Sequence, residues 1–85
     1  MQITIYSTKY PIFYLDIDLL NELLTVKDIK NMIANIKNIP IERQVLLCNA
    51  IIMDNETEIS YYNLSTESDI VLIVLNGKVI PCNIL

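Results

Sequence analysis

Few side chains in this sequence could carry chemistry at neutral pH. It contains no histidine, so the usual proton carrier near pH 7 is missing. Cys48 and Cys82 stand at no metal-ligand spacing, and no cationic cluster beside them would lower a thiol pKa. Both are read as packing residues. Glu56 and Glu58 fall in the polar stretch DNETEISYYNLSTES and read as solvated. Gly77 is the single glycine, so there is no glycine-rich phosphate loop, and no nucleophile stands with a base at a recognisable spacing. No catalytic residue, cofactor or metal is expected, and the chain is read as a non-enzyme.

If the chain does not catalyse, its elements must present a surface. Eighty-five residues make one domain with a single small core, and a hydrophobic content of 53% favours a folded chain. The net charge of −4 is unevenly placed. Residues 1–50 balance five basic groups against five acidic ones, while residues 51–85 set Lys78 against five carboxylates. No basic stripe follows from this, so nucleic acid is not expected as a partner. The opening MQITIYSTKY lacks the charged start and apolar run of a signal peptide. The apolar ending VLIVLNGKVIPCNIL is shorter than the roughly 20 residues a bilayer demands and is interrupted by Asn76, Gly77 and Lys78. No membrane association is expected. Two cysteines form no disulfide framework, which implies a reducing compartment, cytoplasmic or nuclear.

Periodicity places the elements. Ile3 and Ile5, then Phe13, Leu15 and Ile17, alternate with polar neighbours, as in two half-buried strands joined around Thr8–Pro11. Thr25 with Asp28 three residues on forms a capping box in its aspartate form. Val26, Ile29, Ile33 and Ile36 then mark one helix face, which predicts a helix over 26–37 ended by Asn38 and Pro40. RQVLLC reads as a strand, Asn49-Ala50 as a turn and IIM as a very short strand. A helical turn fits around Ile59 to Asn63, and DIVLIVL reads as the central strand. Strand, strand, helix and strands again imply an α+β roll, a sheet covered on one face by a helix.

This order, with particular residues, resembles the ubiquitin family. MQI opens the chain; Ile39-Pro40, Gln44 and Leu46 look like the segment after that family's helix; Ser60, Tyr62, Asn63, Glu67 and Ser68 match its SDYNIQKES. The similarity runs from Met1 to about Leu75, with three residues inserted between Ile17 and Thr25. It implies a ubiquitin-like β-grasp roll, a mixed sheet packed on one main helix. The domain would cover 1–75, with 76–85 as a tail. The core it selects, Ile3, Ile5, Phe13, Leu15, Ile17, Val26, Ile29, Ile33, Leu46, Met53, Ile59, Leu64, Ile70 and Leu72, is apolar throughout. Asn63 would sit at a tight turn where asparagine tolerates the left-handed region.

The resemblance also implies where function would reside. Where the family's modifiers carry Gly-Gly, this chain has Lys78 and Val79, and conjugation through the tail is not expected. At the family's main chain-linking lysines stand Ile51 and Thr66, while Lys30 keeps a matching lysine. The family's apolar sheet patch falls on Thr8, Leu47, Val71 and Ile73. Its rim arginines become Val45 and Leu75, with Ile51 and Ile52 nearby. If exposed, these form a partner-binding surface; the alternative is that the tail covers part of it. Asn76-Gly77 is a hairpin signal, so KVIPCNIL is read as able to fold back. Leu19, Leu20, Leu23 and Leu24 are read as packing under a local turn. The expected function is a non-conjugating interaction module that binds ubiquitin-receptor helices or proteasome-type receptors. Its alternatives are a structural adaptor subunit of a hetero-complex and a divergent modifier.

Overall fold

The computed structural model describes residues 2–17, 23–65 and 68–75. Five strands form one mixed sheet: β1 (Gln2–Ser7), β2 (Phe13–Asp16), β3 (Gln44–Cys48), β4 (Ile51–Ile52) and β5 (Asp69–Val74), in the order β2-β1-β5-β3-β4. The helix α1 (Val26–Lys37) covers one face. β1 and β5 pair in parallel at the centre, and every other neighbouring pair is antiparallel. The continuous β-branched run of residues 69–74 is thus the middle strand, as its sequence implies.

Strand alternation sorts residues between two faces. Ile3 and Ile5, Phe13 and Leu15, Leu46 and Cys48, Ile70 and Leu72 point inward to meet Val26, Ile29 and Ile33 from the helix. Every core residue expected from the resemblance is buried, joined by Ile39 and Cys48.

The helix starts where the capping box predicts. Thr25 and Asp28 cap each other, with the Thr25 backbone N–H donating to Asp28 Oδ2 at 2.9 Å. The first two helical N–H groups, which have no partner inside a helix, donate to Thr57 O at 3.0 Å and Asn55 O at 3.1 Å. The helix is thereby fixed to the 54–58 loop. Its end is Asn38, left-handed at φ 57°.

The expected inward face of the helix needs one correction. Ile36 is 56% exposed. At 3.6 residues per turn it stands roughly 70° from the middle of the buried stripe, whereas Lys37 comes within about 30° of it. Lys37 therefore occupies the inward position of the last turn, its ammonium 4.7 Å from the centre of the Phe13 ring.

Two further inward positions are polar. Gln44 is buried, and its Nε2 donates to the carbonyls of Lys30 and Ile39, each at 3.0 Å. That amide ties β3 to α1 and to the chain leaving it. Lys30 is buried too, and its burial lowers the amine's pKa, against an opposing pull from Asp54. Of the leucines at 19–24, Leu24 packs against the core and accepts from the Ile59 N–H at 2.8 Å. Leu23 is exposed, so the expected packing holds for Leu24 and not for Leu23. Leu19 and Leu20 lie outside the described residues, as do the tail and its expected hairpin.

Candidate functional site

The outer face of the sheet is built by the residues that alternate with the core. On β5 these are Asp69, Val71 and Ile73; on β3 they are Val45 and Leu47. Register sets them side by side: Leu47 opposes Val71, and Val45 opposes Ile73. Directly opposed side chains on one face touch, and β-branched and aliphatic pairs stabilise the sheet while they present its surface. Val71 and Ile73 remain 39% and 42% exposed, and Leu47 and Val45 are half-buried. Four of the expected residues thus form two adjoining apolar rungs.

Two more stand at the border. Thr8 is exposed and directly follows Ser7, which pairs with Leu72, so it adjoins the Ile73 rung. Leu75 is half-buried and doubly held: its N–H donates to Arg43 O at 2.8 Å, and its carbonyl accepts from Arg43 Nε at 2.7 Å. This clamp extends the β3–β5 pairing past the last regular residue.

Ile51 departs from the expected set. It opposes Cys48, an inward position, so it lies at the sheet edge on the other side from Leu47. The cause is the two-residue turn. Asn49 and Ala50 both adopt left-handed φ, 53° and 65°, and this tight reversal pairs Cys48 with Ile51 and Leu47 with Ile52. Ile52, 58% exposed, is the β4 residue of the outer face. Tyr6 completes the other flank: it registers with Val71 and is 37% exposed. Both were legible. Alternation from Ile3 and Ile5 carries Tyr6 outward, and counting back through a two-residue turn selects Ile52.

Tyr6, Val71, Leu47 and Ile52 therefore run across four strands as one row, with Ile73 and Val45 as a second. The arrangement is chemically inert and apolar, suited to excluding water against another surface. Elsewhere, burial pushes the Cys48 thiol pKa up, which suppresses the thiolate. Lys30, the lysine matching a linkage position, is only 6% exposed. Glu56, Thr57, Glu58, Ser60 and Tyr61 line an open depression, with both carboxylates exposed. Among the described residues no group of histidine, cysteine, aspartate or glutamate side chains is placed to hold a metal ion. Nor is any helix there long and apolar enough to cross a membrane.

The fold has the ubiquitin-like arrangement, and the comparison with family models agrees. A model described as the ubiquitin family matches residues 15–77, close to three quarters of the chain. A search of curated proteins finds no match. The family match begins in β2 and spans the helix, β3, β4 and β5, so it covers the strands that build most of the apolar face. On that match, and on a sheet and helix of the same order, the chain belongs to the ubiquitin family.

Proposed function

We propose that this protein is a non-conjugating interaction module that engages other proteins through the outer face of its sheet. The observation that carries this reading is the pair of adjoining rungs, Leu47–Val71 and Val45–Ile73, left open to solvent on an otherwise well-packed sheet. Water gains nothing from such a surface, and covering it releases about 25 cal/mol for each Å² removed. Ubiquitin-like domains commonly mediate protein–protein contacts, which fits the same face. The partners proposed are receptor helices and receptor subunits of the ubiquitin–proteasome type, met in the cytoplasm or nucleus. Lys78 and Val79 at the positions of the family's diglycine support the non-conjugating part of the reading.

Binding by such a face is weak and reversible, because one helix buries an area at the low end of specific interfaces. The test is a titration of the labelled protein with a ubiquitin-binding helix, followed by amide NMR. Shifts are expected to centre on Leu47, Val71 and Ile73. Shifts confined to the exposed side of α1, or none with any such helix, would overturn the proposal.

A further inference from the structure

The outer face is electrically graded along its central strand, and the gradient specifies the partner's chemistry. This inference rests on the proposal that the face binds. β5 sends out Asp69, Val71 and Ile73 in that order, and Leu75 follows. Asp69 is exposed and registers with Thr4, which opposes Tyr14. Asp16, also exposed and opposite Gln2, lies one rung farther toward the same end. Arg43 stands at the far end, its Nε on the Leu75 carbonyl at 2.7 Å. A guanidinium has five N–H donors, so this contact leaves its charge available to a neighbour. The rungs in between, from Tyr6 to Ile52 and from Ile73 to Val45, carry no charge. Along β5 the surface therefore reads acidic, apolar, then cationic.

Its dimensions select the occupant. Six residue steps from Asp69 to Leu75 cover roughly 20 Å, and the three strand spacings from β1 to β4 about 14 Å. A helix is about 10–12 Å across and needs about 13 residues to run 20 Å. One helix of three to four turns fills the face. A second copy laid flat against it would bury about 300 Å² on each partner, well short of the roughly 800 Å² per partner of a standard stable complex.

We propose that the face takes a short amphipathic helix with lysine or arginine at the end over Asp69 and a carboxylate at the end over Arg43. A helix with acidic residues at both ends would meet Asp69 with like charge, so charge selects partners here more than it strengthens binding.

The experiment uses the full chain and two synthetic 15-residue helical peptides with the same leucine and isoleucine stripe. One carries lysines at one end and glutamates at the other; the second carries glutamates at both ends. Affinities are measured by fluorescence anisotropy, with amide NMR to locate each complex. The lysine–glutamate peptide is expected to bind roughly two- to fivefold tighter, the size of one or two exposed ion pairs. That advantage should vanish in 0.5 M salt, shrink in Asp69→Asn and reverse in Asp69→Lys, where the glutamate end meets an opposite charge. Equal affinities at Leu47 and Val71, or a preference that survives Asp69→Lys, overturn the charge assignment and leave the binding face standing. Neither peptide shifting those residues overturns both. A concentration-dependent dimer of the chain alone, abolished by Asp69→Lys, would assign the face to a second copy and overturn the helix.

Discussion

At the residue scale, two titratable side chains, Cys48 and Lys30, are buried in the core. Cys48 is 4% exposed, and its burial raises the thiol pKa from an ordinary value of 9.0. A raised thiol pKa favours the folded state while the unfolded chain keeps its proton. The contribution is lost as pH climbs above that ordinary value, because the unfolded thiol then ionises and the folded one does not. Lys30 works in the opposite sense. Its lowered amine pKa means that the unfolded chain binds more protons below 10.5, so its penalty eases as pH rises toward that value. Replacing Cys48 with alanine should remove this pH-dependent contribution together with the packing of the buried sulfur, so the slope against pH, and not the absolute stability, reports the thiol. Urea unfolding of Cys48→Ala between pH 8 and 10.5 is expected to give a more favourable slope of stability against pH than the parent. Matching slopes would mean that the buried thiol does not couple to folding. That the sequence has no histidine is read from residue types alone and needs no structure to be seen. The buried Lys30 and Gln44 were not legible as core: polar residues give no periodic signal, and only contact across β3 and α1 reveals that Gln44 bonds two main-chain carbonyls.

At the element scale, local signals located nearly every unit. The capping box, the Asn38 stop and the strand alternations specify α1, β1, β2, β3 and β5, because each is a short-range preference that the tertiary fold happens to satisfy. Two positions depended on geometry beyond the motif. Ile36 shared the helix periodicity, yet only the direction of the sheet decides that Lys37 faces it in the last turn. Ile51 sat beside the patch in sequence, yet register turns it to the other face. That register hinges on Ala50, which holds φ 65° at a cost that glycine would not incur. Ala50→Gly completes the favoured Asn-Gly form of the turn. It is expected to raise stability by about 0.5–1 kcal/mol in urea unfolding. It should also leave the cross-strand contacts of Leu47 with Ile52 unchanged in NMR. A loss of stability, or a new register with Ile51 opposite Leu47, would contradict the turn geometry.

At the scale of the whole molecule, one sheet serves two purposes. Its inner face, with α1, builds the core and sets the fold; its outer face is left apolar across four strands. The resemblance located Leu47, Val71, Ile73 and Val45 on that outer face. It placed Ile52 only near the patch and marked no position at Tyr6; strand alternation carries Tyr6 outward, and pairing sets both at the ends of the row. The proposed role of the face requires that its exposed residues contribute to binding and little to folding. The most direct measurement is the affinity of Ile73→Ser for a helix peptide bound by the parent, paired with its urea midpoint. Removing a half-exposed aliphatic anchor should weaken binding about tenfold, some 1–2 kcal/mol, while stability falls by no more than the lost cross-strand pair with Val45, about 1 kcal/mol or less. Unaltered affinity in Ile73→Ser, with the loss appearing instead in Ile36→Ser on the helix, would place the interaction on the opposite side of the molecule and contradict the account.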